Sequence, residues 1–301
     1  MVTTTFLILL AMGYPEYSSN KSKRTYSDHA KIALLVVMAY TGKSFAEFSR
    51  MLPSLVTVLD AAGISDIPEE STLRKFRGRL GRVMMDTVLA HQSAMIVGNS
   101  ETIAGVDATG MPTTHASRYY ITRLKHFGTE RTIVRGYTKL TLAVCVHTKA
   151  ILAADTTGSR VADVRRFGPT LNKLAAAGSR VMYVAADKGY DAEYVHRMVM
   201  NGLGAEAVIP VRTNPPKKGS VCRTVGVNRS RMKRELTGGS HLKSIYNMRS
   251  ISETVNSMLK RVLGDVLRGR NEETRHAETM FKCMAHNFRV GMELSSSGML
   301  V

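Results

Sequence analysis

Three carboxylates in this chain stand where acids can do chemistry as well as solvate a surface. Asp107 follows the apolar run TIAGV, and Asp187 follows VMYVAA. Each is succeeded by a turn, Thr109-Gly110 after the first and Lys188-Gly189-Tyr190 after the second. A strand end is rigid and the turn beyond it is open to solvent, so an aspartate there can hold a cation in a fixed place. Mg²⁺ takes hard oxygen ligands in near-octahedral geometry and keeps several waters, so a few carboxylates and phosphate oxygens suffice. Two such ions clamp the attacking and leaving oxygens of an in-line phosphoryl displacement. Glu253, in the stretch YNMRSISETVNSMLK over residues 246–260, can complete the set.

The bland alternative for either aspartate alone is a turn or cap residue, the commoner fate of Asp after a strand. Asp155, Asp163 and Asp191 are rival aspartates, and Glu193, Glu206 and Glu235 are rivals for the third acid. Glu193 falls early in an expected helix, where a carboxylate often only offsets the dipole.

The stretch 246–260 reads as a single helix. At roughly 100° per residue, Tyr246, Arg249, Glu253 and Lys260 fall within about 60° of one another, with Asn256 at the edge. Ile251, Val255, Met258, Leu259 and Val262 cluster opposite. The helix then has an apolar back for a core and a polar front of one acid, two cations, a phenol and an amide. A solvated face with ordinary i,i+4 partners has the same look.

The elements that must position these residues read in order as follows. Residues 1–100 are helical. Ser27 or Asp28 caps a helix running to Tyr40 with Gly42 as its stop, and Ser44 with Glu47 forms a capping box for the next. Pro53 ends that helix, and a third covers 55–62 before Gly63. A basic helix from near Thr72 carries Arg74, Lys75, Arg77, Arg79 and Arg82 without an acid. Helix, short turn and basic helix is the shape of a helix-turn-helix DNA reader. A basic face over a structural bundle is the competing reading.

Near residue 100 the pattern changes. Strands are expected at 102–108, 117–124, 133–146 and 150–155, a helix at 163–177, and a buried strand at 181–186. A helix from Asp191 to about Met200 and a strand at 205–211 follow. Residues 212–243 hold Pro215-Pro216 and nine Lys or Arg against one Glu, and read as a mobile basic loop or short insertion. Helices at 244–268 and 271–290 close the chain. This α/β order suits a ribonuclease-H-like mixed sheet flanked by helices, behind an N-terminal all-helical domain. The expected division is 1–100 for DNA binding and 101–301 for catalysis.

Composition narrows the partners. Among 301 residues, Lys and Arg number 42 against 24 Asp and Glu, a net charge of +18. That excess points to a polyanion, with nucleic acid first and an anionic membrane surface second. The runs 6–12 and 32–40 are far short of the roughly 18 apolar residues a spanning helix needs. The first could pass for part of a signal peptide, but no basic residue precedes it and no small-residue cleavage site follows. Three scattered cysteines, Cys145, Cys222 and Cys283, fit a reducing compartment and give no CxxC zinc site. The nine histidines show no HxxxH pairing and read as structural or surface residues.

Tyr, two residues, Arg, three residues, Glu, six residues, Lys resembles the signature of the DDE transposases of the insertion-sequence-four type. GVDATG around Asp107, AADKGYD around Asp187 and STLRKFRGRL at 71–80 resemble blocks of the same group, in the same order. The resemblance covers roughly residues 25–290. It implies a ribonuclease-H-like catalytic domain with Asp107, Asp187 and Glu253 as the metal-binding triad for two Mg²⁺ ions, Mn²⁺ able to substitute. It implies that Tyr246, Arg249 and Lys260 contact phosphates at the transposon end, and it strengthens Arg74, Lys75 and Arg77 as DNA-binding residues. The implied activity is hydrolysis at the element's ends followed by attack of the 3′-hydroxyls on target DNA. The implied setting is a prokaryotic cytoplasm, at the nucleoid, with double-stranded DNA as partner and a homodimer on it.

Two departures stand out. Some relatives carry a large β-rich insertion where this chain has only the short basic segment, and the chain has no Trp. A hairpin route to strand release loses its base-stacking residue. Two other classes compete with a working transposase: another ribonuclease-H-like nuclease, and a decayed or repurposed DNA-binding protein of transposase origin.

Overall fold

The computed structural model describes residues 1–19, 21, 23–113, 137–212 and 226–298. The strand expected at 117–124, the first residues of the one expected at 133–146, and Cys222 lie outside them.

The N-terminal part is helical as expected. α1 (Val2–Ala11) buries Ile8 and Leu9 in the main core, so one face of this apolar run packs inside the fold while Leu7 and Leu10 stay exposed. α2 (Asp28–Thr41) starts where the Ser27 side chain accepts the Ala30 N–H and stops at Gly42, which takes the left-handed conformation at φ 66°. α3 (Phe45–Met51) carries the capping box of Ser44 and Glu47. α4 (Val56–Ala61) follows a short 3-10 turn that contains Pro53.

The basic helix differs from expectation. α5 spans Glu70–Arg77, and α6 (Arg82–Val97) is separate. Gly78 and Gly81 flank the break, where glycine's backbone freedom disfavours a continuous helix. Arg79 falls in the turn. Arg82 opens α6 and pairs with Glu272 and Glu273 at 3.2 and 2.9 Å.

The centre is a five-stranded mixed sheet in the order β3-β2-β1-β4-β5. β1 (Thr102–Pro112), β2 (Tyr137–Cys145) and β3 (Ile151–Gly158) form an antiparallel meander. β4 (Val181–Ala186) then lies parallel to β1 on its other side, and β5 (Glu206–Val208) parallel to β4. The crossover to β4 is α7 (Asp163–Ala176), and α8 (Glu193–Leu203) leads to β5. This is the ribonuclease-H-like arrangement anticipated from the element order.

Alternation along the strands assigns the two faces. Ala104 and Val106 of β1, with Val184 and Ala186 of β4, share a core with Phe167, Leu171 and Val195 of α7 and α8. Beyond a register shift at the start of the pairing, the odd-numbered residues from Ile103 and Tyr183 onward face the other way.

The segment expected as a basic loop is helical where described. α9 (Val227–Thr237) is docked on the sheet's flank, with Arg229 on Asp191 at 2.6 Å and Arg231 on Glu206. Glu193 accepts the N–H groups of Asn228 and Arg229 at its first turn. These acids order a stretch whose composition alone reads as a loop.

The expected single helix over 246–260 is two. α10 (His241–Asn247) ends, and α11 (Ser250–Leu263) begins two residues later. Across the join Arg249 N–H donates to Tyr246 O and Ser252 N–H to Arg249 O, both i to i−3. The Ser250 and Ser252 hydroxyls donate to the carbonyls of Asn247 and Arg249. Serine hydroxyls that compete for carbonyls in this way bend helices. α12 (Glu272–Ser296), capped by Asn271, completes the fold. Val255 and Leu259 of α11 and Met280 and Met284 of α12 join the core that also holds α2 and α6.

Candidate active site

The sheet brings the two aspartates together. Val106 pairs with Ala186 across the parallel β1–β4 junction, so Asp107 and Asp187 are the next residues on each strand. Neighbouring strands run roughly 5 Å apart, and equal parity sends both side chains to one face. Asp107 is not at the end of its strand, as expected. β1 runs on to Pro112 because β2 pairs with it as far as Tyr137. Asp187 does sit at its strand end, where its carboxylate accepts the Lys188 N–H at 2.7 Å.

The helix α11 covers that face. Its approach depends on Gly105, where an added Cβ would meet the Ser252 Cβ at 3.4 Å and the Arg249 carbonyl at 3.7 Å. Gly105 shares Asp107's face, two residues before it. Asn256, one turn beyond Ser252, donates from Nδ2 to Asp107 Oδ2 at 2.9 Å. Burial pushes the Asp107 carboxyl up from the ordinary carboxylate range. The Ala108 N–H and the Asn256 amide counter that rise, the charge of Glu253 adds to it, and Arg249 opposes it.

Glu253 faces Arg249, with Oε1 2.7 Å from its Nη1. Burial works against the Arg249 cation. The Glu253 hydrogen bond and the charges of Glu253, Tyr246 and Asp187 outweigh it and hold its pKa above the usual arginine value. The Tyr246 ring centre lies 5.7 Å from the Arg249 guanidinium carbon, so these two residues remain neighbours across the helix break. Lys260 lies one turn from the end of α11, half-buried.

As the side chains stand, no three His, Cys, Asp or Glu groups among the described residues are close enough to hold a metal ion. The expected meeting of three acids at one point is therefore incomplete. Asp107 and Asp187 are brought together by the sheet, while Glu253 is drawn to Arg249. Opposite charge explains this, since three bare carboxylates repel one another and each takes the nearest donor. The donor set still fits a hard divalent ion, with two adjacent aspartates, a third acid on the covering helix and the buried Asn256 Oδ1, which has no hydrogen-bond partner among the described residues.

Five of the six rival acids, all but Glu235, are bound up elsewhere. Asp155 is buried and takes Arg166 at 2.8 Å and Lys173 at 3.2 Å. Asp163 pairs with Lys139 at 2.6 Å, and Asp191, Glu193 and Glu206 anchor α9.

Arg77 corrects an expectation. It is 7% exposed, stacks 4.6 Å above the Phe45 ring and lies 3.7 Å from Glu278, so its cation is directed into the fold. It sits on the inner side of α5 with Leu73 and Phe76, a helical spacing that buries all three. Arg74 and Lys75 are exposed, Arg74 pairing with Glu70 at 3.0 Å.

Two residues near the acids escaped sequence reasoning. Asn256 reads there only as the edge of a polar stripe. Tyr190 reads only as part of a turn, yet it is buried 5.6 Å from the Phe167 ring. Burial, then the charges of Asp163, Asp107 and Asp187, push its phenol far up, so it keeps its proton. The signal available for it was its place three residues after Asp187.

A mixed sheet of this order, flanked by helices, is the ribonuclease-H-like fold. Residues 98–288 match the transposase DDE domain, and the chain belongs to that family of DNA-binding, metal-dependent transposases. A search of curated proteins finds no match. No single described helix is long and apolar enough to cross a membrane, and the two described cysteines, Cys145 and Cys283, are free.

Proposed function

We propose that the protein is a transposase of the insertion-sequence-four type, which cuts the ends of its element and joins the freed 3′-hydroxyls to target DNA. The observation that carries this reading is the β1–β4 register, which sets Asp107 beside Asp187 beneath the helix bearing Glu253. In this reading Asp107, Asp187 and Glu253 hold the metal. Bound Mg²⁺ or Mn²⁺, as a pair of ions, supplies Lewis-acid activation of the nucleophile and stabilises the leaving oxygen.

The rest falls to the chain's own side chains. Asp107 and Asp187 bind through rigid strands and fix the position of the reaction. Glu253 is exposed and held by its ion pair with the half-buried Arg249, so water can solvate the acid once it is released toward the metal. Arg249, Lys260 and Tyr246 then face the phosphates of the element's end, the two cations neutralising backbone charge. Arg74 and Lys75 of α5 add contacts to DNA from the helical part, residues 1–100, while 101–301 form the catalytic domain. Two ends held together imply a homodimer on DNA, and the setting is the prokaryotic cytoplasm at the nucleoid.

The test is Mg²⁺-dependent nicking of a duplex carrying the element's terminal inverted repeat. Wild type nicks it, while Asp107→Asn, Asp187→Asn and Glu253→Gln bind the duplex and leave it intact. Full cleavage by any of the three removes that residue from the site.

A further inference from the structure

We infer that Asn256 is a positioning residue for the acid pair, tying the Asp107 carboxylate to α11 and presenting its own Oδ1 to whatever binds beside it. The inference rests on the metal-site reading above and adds to it a residue that the four-residue signature does not contain.

Asn256 is 5% exposed, and its Nδ2 donates to Asp107 Oδ2 at 2.9 Å across 149 residues of sequence. The orientation of the amide is imposed, because a flipped side chain would set Oδ1 against a carboxylate oxygen. Its Oδ1 is buried with no hydrogen-bond partner among the described residues. An amide buried with one half unsatisfied is a poor choice for stability, since the desolvation of its unmet acceptor offsets much of what its donor's hydrogen bond contributes. Packing therefore gives no reason for Asn here. Two features do: the donor that orients an acid, and the unused acceptor beside it.

The surroundings make the link rigid. Ser252, one turn earlier on the same face of α11, is fully buried and packs against Gly105 of β1. Helix and strand thus meet without an intervening side chain, and Asn256 reaches Asp107 directly. Glu253 lies three residues before Asn256, so fixing α11 on β1 also fixes where the third acid emerges. Oxygen donors of this kind suit a hard divalent cation or a water bound to it. Residues that orient metal ligands typically change affinity by about 10–100-fold when lost.

The experiment is Mn²⁺ titration of the full chain by calorimetry, with melting temperature recorded with and without Mn²⁺. The variants are Asn256→Leu, of similar shape, Asn256→Ser as a smaller second choice, and Asp107→Asn. The expected result is that Asn256→Leu without metal folds and melts only a little below wild type, because Asp107 loses one donor, yet binds Mn²⁺ at least about tenfold more weakly and loses most of the metal-induced rise in melting temperature. Asp107→Asn loses both responses. Wild-type Mn²⁺ binding by Asn256→Leu, or by Asn256→Ser should the first not fold, with binding lost in Asp107→Asn, overturns the positioning role and leaves the site standing. A melting temperature of Asn256→Leu well below wild type, with Mn²⁺ affinity kept, makes the residue structural and also overturns it. Mn²⁺ binding by Asp107→Asn equal to wild type, or none by wild type, overturns the metal-site reading itself.

Discussion

Lowering the pH from 7.5 to 4.5 should cost this fold about 2.5 kcal/mol through one residue, His276, a figure obtained from the linkage between proton binding and stability. His276 lies on α12 with no exposed surface, its Nδ1 2.7 Å from the Thr156 hydroxyl and its Nε2 without a partner among the described residues. Burial pushes its pKa down from 6.5 to about 4, and the cations Arg82 of α6 and Lys173 of α7 press the same way. Asp155 of β3 and Glu273 of α12 oppose them. The unfolded chain therefore takes up a proton near pH 6.5 that the folded chain refuses until about pH 4. Between those values the unfolded state binds more protons, so stability falls as pH falls, by up to about 3 kcal/mol in all. The assay is urea unfolding of wild type and His276→Asn at both pH values. His196 and His286, whose pKa values burial also lowers, contribute equally to both proteins. Wild type should lose about 2.5 kcal/mol more than the variant on acidification. Equal losses would refute the assignment of a neutral, desolvated His276.

Other outcomes follow from the same geometry. Asp155→Ala leaves Arg166 and Lys173 without their buried partner and should destabilise by about 3–5 kcal/mol in urea unfolding, with Mn²⁺ binding intact. Loss of Mn²⁺ binding in a folded Asp155→Ala protein would return that residue to the list of metal ligands. Gly105→Leu forces α11 away from β1 and should cost about 1–3 kcal/mol while abolishing nicking; a fully active variant would mean that the close approach is dispensable. Arg249→Gln should change stability by about 1 kcal/mol or less, since the Glu253 it leaves unpaired is exposed to water, yet weaken binding to end DNA. Affinity of the wild type for duplex DNA should fall steeply as salt rises from about 50 to 200 mM, and a flat response would count against phosphate contacts as its source.

Local chemistry was legible in the residues themselves. Ser27, Gly42, Ser44 with Glu47, and Asn271 bound their helices as their side chains and backbone preferences require, because capping involves neighbours only. The apolar runs before Asp107 and Asp187 reveal strands for the same reason. Which acids are free and which are consumed is a different matter. Asp155 and Asp191 are aspartates beside expected strands like Asp107 and Asp187, and in sequence only the blocks around the latter two set them apart. Only packing sets Arg166, Lys173 and Arg229 against the first two. The tertiary structure likewise turns Arg77 inward, orders 227–237 as a helix through Asp191 and Glu193, and bends the chain at 248–249. It alone joins Asn256 to Asp107. A helix cap is settled within a few residues, whereas an ion pair or an acid's neighbour depends on segments that meet only once the sheet has formed.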